Sequence, residues 1–275
     1  MTRVAVVIPC FDDGATLPAA LASLEDQEDH ELLIVDDGST DAGTIAYLAQ
    51  LERAGTRVVH QENEGLSAAR MAGVAATSSP YVFPLDADDE LVPGAIAELA
   101  DVLDATPSLA AAWGDVELFG ARNLVYRLPG RLDPWLLTYL NEIPGTCLYR
   151  RSALEAVGGW RLRGGYEDWD LWLSFAERGF EGVRVAEVVL RYRQHSGRMN
   201  AHSIAEHAQK HAHLRELHPS LFGDRARLRS RSPEPRRVKA LFPVLEAVPG
   251  LSLWRRHSLC RLVRDPRTQF AARRQ

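Results

Sequence analysis

Three short apolar runs in the N-terminal third each end on a carboxylate, and this pattern constrains the fold more than any other feature. Residues 3–9 are β-branched and nearly all apolar, and they lead into Cys10-Phe11-Asp12. Residues 31–36 run into Asp36-Asp37-Gly38-Ser39, and residues 81–85 into Asp86-Ala87-Asp88-Asp89. Runs of this kind read as strands buried on both faces of a parallel sheet. Helical segments separate them. Thr16-Leu17-Pro18 opens one with Leu17, Leu21 and Leu24 on one side, residues 44–54 form a second, and alanine-rich residues 65–77 a third. Residues 57–60 add a short strand. Repeated β-α units of this length predict an α/β fold with a mostly parallel, doubly wound sheet, whose ligands bind beyond the carboxyl ends of the strands.

The rest of the chain is less regular. Residues 93–105 read as helix, 109–118 as a return to the sheet, and 139–149 as a strand. Residues 152–157 read as a short helix, 167–178 as a helix stopped by Gly179, and 182–192 as an alternating strand. From residue 201 the chain reads as helical, then becomes Arg-rich and Pro-broken. With 46% hydrophobic and 25% charged residues, this is globular material. There is no apolar run long enough to span a membrane, and no signal-peptide pattern at the start. Cys10, Cys147 and Cys260 are far apart and form no CxxC pair, which argues against a disulfide framework or a zinc knuckle and fits a reducing cytoplasm. The net charge of -5 hides an asymmetry: residues 224–275 hold 14 Lys/Arg against 4 Asp/Glu, leaving 18 against 33 in the body.

The acidic strand ends carry the chemistry. Asp86-Ala87-Asp88 sets two carboxylates one residue apart, able to converge on a hard divalent cation that takes its other oxygen ligands from water and phosphates. The alternative is an acidic turn capping the next helix. In Asp36-Asp37-Gly38-Ser39-Thr40-Asp41 a carboxylate can accept from a base N–H or a ribose hydroxyl, while Gly38 permits close backbone approach. Ser39 or Asp41 equally suits a helix cap. Asn63-Glu64-Gly65 opens a helix whose N-terminus favours phosphate, with Arg70 either pairing that phosphate or forming a surface ion pair. Glu167-Asp168, after Gly164-Gly165-Tyr166, reads either as a placed proton acceptor or as acids favouring a first helical turn.

In this order the blocks resemble those of family-2 glycosyltransferases with the GT-A fold. The matching stretches are Val6-Val7-Ile8-Pro9-Cys10-Phe11-Asp12, Leu33-Ile34-Val35-Asp36-Asp37-Gly38-Ser39-Thr40-Asp41, Asn63-Glu64-Gly65 with Arg70, Asp86-Ala87-Asp88-Asp89, and Glu167-Asp168-Trp169-Asp170. The resemblance covers residues 4–195. It implies an inverting, hexosyl-type enzyme that moves a sugar from a nucleoside diphosphate, UDP by default, to an acceptor hydroxyl in polysaccharide, glycolipid or other glycoconjugate synthesis. It implies a nucleotide-sugar site lined by Pro9, Phe11, Asp36, Asp37, Arg70, Asp86 and Ala87, with Phe11 against the base, Asp36 and Asp37 on base and ribose, and Asp86 on ribose or sugar. Asp88 would bind Mn2+ or Mg2+. His195, after Tyr192-Arg193-Gln194, would bind the metal or a phosphate, with an ordinary loop histidine as the alternative. Asp168 would be the catalytic base beside Glu167, and Thr146 and Trp160 would line the sugar or acceptor side. Cys10-Phe11-Asp12 departs from the family's commoner tyrosine and asparagine, keeping the stacking face but losing a hydroxyl. The Q-x-x-R-W motif of processive polymerases is missing, which implies non-processive transfer. The implied domains are 1–120 (nucleotide-sugar half), 121–200 (acceptor half) and 201–275 (basic helical extension).

The extension from Asp224 is basic, with the apolar residues Leu241, Phe242, Val244, Leu245, Val248, Leu251, Leu253 and Trp254 interleaved in it. This reads as a peripheral helix on the inner, anionic face of a membrane near a lipid-linked acceptor, or as a tail packed on the acidic body. The acidic body argues against nucleic acid. His202, His207, His211, His213 and His218 lack the glutamate of a zinc protease and read as a solvated helix face. Other enzyme classes fail on their motifs: no G-x-G-x-x-G follows the first strand, no Gly-Lys pair exists, and Gly65-Leu66-Ser67-Ala68-Ala69 misses the last glycine of G-x-S-x-G. Two rivals remain, a metal-dependent nucleotidyltransferase and a catalytically inactive nucleotide-sugar-binding module.

Overall fold

The computed structural model describes residues 2–120, 123–194 and 206–248, with helical fragments at 255, 258–259 and 262–263. Strand β1 (Val4–Cys10) is buried at every position, as an all-apolar run in a parallel sheet must be. It lies between β2 (Glu31–Asp36) and β4 (Tyr81–Pro84), with β3 (Val58–His60) outside β2, and all these pairings are parallel. Helices α1 (Leu17–Ala22), α2 (Ala42–Arg53) and α3 (Leu66–Ala76) make the crossovers. Asp41 caps α2 by accepting from Thr44 N at 2.7 Å. Gly73 lets α3 sit hard on β1, since a Cβ there would lie 2.1 Å from Val7 Cγ1.

The second half contains β5 (Glu90–Leu91), α4 (Ala95–Ala105), β6 (Leu109–Gly120), β7 (Leu124–Tyr126), α5 (Pro134–Leu137), β8 (Leu148–Arg150), α6 (Arg151–Ala156), α7 (Glu167–Glu177) and β9 (Glu181–Gln194). The sheet runs β3-β2-β1-β4-β8-β6-β9-β5, with β7 beside β6. The α/β expectation holds, and the first four strands are wholly parallel. Beyond them β8 is antiparallel to β4 and β6, while β9 is parallel to β6, so the second half is mixed. Register shifts around Trp113 and Asp115 bend β6 against β9.

Residues 139–149 are a correction. Only Leu148–Arg150 is strand, and α5 precedes it. Asn141 explains the change: its Oδ1 accepts from Ile143 N at 3.0 Å and its Nδ2 donates to Ile143 O at 2.8 Å. One side chain thus takes backbone groups that a neighbouring strand would otherwise satisfy.

The extension forms α8 (His207–Leu217), α9 (Pro219–Gly223), α10 (Arg225–Arg231) and α11 (Arg236–Ala247). It packs on the body. Phe242 meets Trp135 and Tyr139 edge-on at 5.7 and 5.6 Å, and Val238 and Leu245 are buried with it. Arg225 donates to Thr138 Oγ1 at 3.0 Å and pairs with Glu246 at 2.8 Å. Asp133 caps α5 through Trp135 N and accepts from Ser232 Oγ at 2.6 Å. Val244 and Val248 are exposed, and Leu251, Leu253 and Trp254 lie outside the described residues. The solvated-face reading of the histidines also needs correction. His211 is buried against Trp169, and His218 is buried between Asp170 and Glu177; His213 is exposed and His202 lies outside the described residues. Among the described residues no helix is long and apolar enough to cross a membrane.

Candidate active site

The parallel strands end in step. Cys10, Asp36 and His60 are successive ladder partners, and Asp37 N donates to Cys10 O at 2.8 Å just beyond them. Asp12 adopts a left-handed φ of 57° and accepts from Thr40 N at 2.6 Å and Asp41 N at 2.7 Å. An acid tolerates this conformation when its side chain bonds locally. Asp12 thereby fastens the first loop to the second, while Phe11 beside it stays 43% exposed. Pro9 is buried within β1, paired with Val35, so it shapes the strand end and offers no open face.

The two acids after β2 are heavily engaged. Asp36 accepts from Ser39 N at 2.9 Å and pairs with His60 Nδ1 at 2.8 Å. Burial opposes its charge, but these partners overcome that and hold it below the usual carboxylate range, while His60 is raised by Asp36. Asp37 accepts from Gln61 Nε2 at 2.7 Å, Glu64 N at 2.9 Å and Gly65 N at 2.8 Å. The expected phosphate-binding start of α3 is therefore occupied at Glu64 and Gly65 by the protein's own carboxylate.

Arg70 is not at the surface. It is 3% exposed, donates from Nη2 to Asp86 Oδ1 at 2.7 Å, and lies 3.7 Å from Glu167. Its guanidinium lies over the Trp160 ring at 5.4 Å. Burial disfavours its charge, but Asp86 and Glu167 more than offset this and keep it protonated. Among the described residues its Nε and Nη1 have no hydrogen-bond partner, and neither does the buried Trp160 Nε1.

Asp86 and Asp88 are partly exposed at the end of β4, and Ala87 between them is buried. The turn is fixed from β9: Arg193 N donates to Asp89 Oδ1 at 2.9 Å, and Arg193 Nε to Asp88 O at 3.0 Å. His195, the residue after β9, lies outside the described residues. Among the described residues no three His, Cys, Asp or Glu side chains gather around a common point suited to a metal.

Asp168 reaches the same neighbourhood from α7. Gly164 and Gly165 have positive φ, and Tyr166, with φ 67°, begins the helix. Asp168 Oδ1 accepts from Trp169 N at 2.7 Å, and Oδ2 from Asn141 Nδ2 at 3.1 Å. Burial first, and then the charge of Glu167, push its pKa up to about 7. Gly145 touches both sides of the cleft: a Cβ there would lie 3.0 Å from Arg70 Nη1 and 3.5 Å from Asp168 Cβ. Thr146 next to it is buried. Arg70 thus joins Asp86 and Glu167, with Asp168 across Gly145, while Asp37 holds the start of the helix that carries Arg70. Sequence reasoning missed Asn141, which lay in an expected strand, and missed the bond from Ser67 Oγ to Leu162 O that ties α3 to the loop before α7.

The model of Glycosyl transferase family 2 matches residues 5–158. The chain belongs to this family. An uncharacterized glycosyltransferase of Mycobacterium tuberculosis is 30% identical over 204 residues, covering 70% of this chain and 87% of that one. Among solved structures, residues 1–349 of Staphylococcus aureus TarS in complex with UDP-GlcNAc superpose with a TM-score of 0.61 at 16% identity, over 73% of this chain and 61% of that one. The Pyrobaculum calidifontis mannosyltransferase PcManGT, in complex with GDP-Man and Mn2+, superposes with a TM-score of 0.60 at 17% identity, over 98% and 88%. The chain spans 26% of a longer curated relative. The likeness establishes the GT-A fold, and this transferase presents its acidic residues at the edge where such α/β sheets bind ligands.

Proposed function

We propose that this transferase moves a hexosyl group from a nucleoside diphosphate sugar to an acceptor hydroxyl in a single inverting, non-processive step, with Asp168 as general base. The observation that carries the reading is Asp168 itself, a carboxyl pushed up to about 7 and lying beside the buried Arg70 guanidinium. A base with pKa near working pH is both available and able to take a proton. The acceptor O–H gives its proton to Asp168 while its oxygen bonds to the anomeric carbon. The bond to the diphosphate breaks on the opposite face, and no sugar becomes bonded to the protein. Arg70 has N–H groups with no hydrogen-bond partner among the described residues, which suits it to a phosphate oxygen.

Asp88 supplies a hard oxygen donor at the strand edge and would hold Mn2+ or Mg2+, with phosphates, water and His195 as the other ligands. Such a cation would offset charge on the departing diphosphate. Phe11 has an open ring face for the base, Asp36 and Asp37 border the base and ribose, and Asp86 with Ala87 borders the sugar. Thr146 and Trp160 lie on the acceptor side. The donor is read as UDP-linked, and neighbours of the same fold hold UDP-GlcNAc and GDP-Man. The acceptor is read as a sugar or lipid-linked hydroxyl, met in the cytoplasm at the inner face of a membrane, where exposed Val244 and Val248 and the basic extension would make peripheral contact.

A panel of UDP-, GDP- and dTDP-sugars with Mn2+ or Mg2+, read by thermal shift and by nucleoside diphosphate release, tests the reading. A donor at 100 times its Kd stabilises by about 2.7 kcal/mol. The expected result is stabilisation by one donor and release of its diphosphate on adding acceptor. Release of pyrophosphate would support nucleotidyl transfer instead, and no stabilisation by any nucleotide sugar would overturn the proposal.

A further inference from the structure

A cavity of about 350 Å³ lies between the loop that feeds α7 and the first helix of the extension. Arg163 and Tyr166 line it from the loop, and Glu206, Gln209, Lys210 and His213 from the start and exposed side of α8. That volume is at the lower end of small-molecule sites. Contacts made by the lining residues and their neighbours hold its two walls together. Tyr166 Oη and His207 Nδ1 are 2.7 Å apart, the His207 and Trp169 rings stack, and Lys210 Nζ donates to Gly164 O. The pocket is therefore formed before any ligand arrives.

Its chemistry favours hydroxyls over charge. Arg163 pairs with Glu64 at 2.8 Å, and Lys210 pairs with Glu206 at 3.1 Å. An anion would have to displace these carboxylates, whereas a polyol can add to the outer lone pairs and N–H groups as they stand. Tyr166, itself buried with its hydroxyl bonded to His207, adds a small apolar edge to the wall. Tyr166 is two residues from Asp168, so their Cα atoms lie within about 7 Å. Both walls lie beyond the residues matched by the family model, which end at 158.

We infer that this cavity is a saccharide subsite, which holds a neutral sugar unit of the acceptor adjoining the one whose hydroxyl Asp168 deprotonates. The inference rests on the transferase reading above. It makes the extension a source of acceptor selectivity, contributed by α8.

The test is binding of the labelled full chain, with UDP and Mn2+ present, to an array of defined neutral and acidic oligosaccharides. Gln209→Trp, at an exposed helix position, fills the cavity. His213→Trp does so one helical turn further on, and covers the case in which the first variant folds poorly. The expected result is binding to neutral oligosaccharides of two or more units, reduced at least tenfold in either folded variant, with donor stabilisation unchanged. Undiminished array binding in the folded variants would overturn the inference. So would binding to acidic glycans that inorganic phosphate competes away, or no array binding by a parent chain that nucleotide sugars still stabilise. Saccharide binding that depends on Gln209 in a chain that no nucleotide sugar stabilises would leave the subsite standing and remove the transferase reading.

Discussion

Asn141 donates to Asp168 Oδ2 at 3.1 Å from a turn 27 residues earlier in the chain. A donor to a carboxylate favours its ionised form. Asn141→Ala should therefore raise the Asp168 pKa and move the acid limb of kcat/KM to higher pH, with about a tenfold loss of rate at neutrality, less than the roughly 10²–10⁴-fold of losing the base itself. Donor stabilisation should stay as in the parent. Steady-state rates against pH, with thermal shifts in donor, check both parts.

Asp168 gives opposite predictions for activity and stability. With a pKa of about 7, the free enzyme should gain kcat/KM as pH rises through that value, because only the carboxylate accepts a proton. Asp168→Asn should lose about 10²–10⁴-fold in transfer and show no such limb. The raised pKa also means that the fold favours the neutral acid. This contribution to stability is present below the unfolded pKa and is lost as pH rises through about 7. Asp168→Asn should consequently melt above the parent at alkaline pH and near it at acid pH, as paired melting curves will show.

Arg70 is the counter-charge to both Asp86 and Glu167. Arg70→Met removes it and leaves partly buried Asp86 and Glu167 without their shared counter-charge, a change that costs about 3 kcal/mol. Arg70→Lys keeps the charge but not the planar fork, so it should fold with a smaller loss and still bind donor more weakly. Urea unfolding separates the two variants, and donor titration of the lysine form tests the phosphate role.

His218 has Asp170 at 2.9 Å from Nε2 and Glu177 at 3.0 Å from Nδ1. Burial disfavours the charged ring, but the two acids overcome this and raise its pKa. Burial likewise opposes Asp170 ionisation, and His218 with Arg161 brings its pKa down. The histidine's contribution is complete below its unfolded value of about 6.5 and is lost as pH rises through the raised folded value. The aspartate's is complete above about 3.9 and is lost as pH falls through its lowered value. His218→Gln should therefore cost about 1–3 kcal/mol near pH 6, because buried Asp170 keeps only Arg161 as its counter-charge, and less in alkali. Melting temperatures of variant and parent across that range check it.

The parallel half was readable because residues sealed on both faces of a sheet leave an unbroken apolar signature, and the acids that end β1, β2 and β4 mark where it opens. The region 138–147 was not readable, because Asn141 replaces ladder bonds with its own amide, and composition does not encode that choice. The depth of Arg70 was missed for a related reason. A lone arginine in an alanine-rich helix looks solvated until Gly73 is seen to bring the helix down onto Val7. His211 and His218 were misjudged because aromatic and acidic partners far away in sequence decide their burial.

The bonds from Glu64 and Gly65 to Asp37 have a consequence for the ligand. A helix start attracts anions through its unpaired N–H groups. Here part of that attraction is spent on an internal acid, which acts as a permanent resident at the spot. On the proposed reading, an incoming pyrophosphate would meet a partly satisfied helix end and would depend the more on the guanidinium of Arg70.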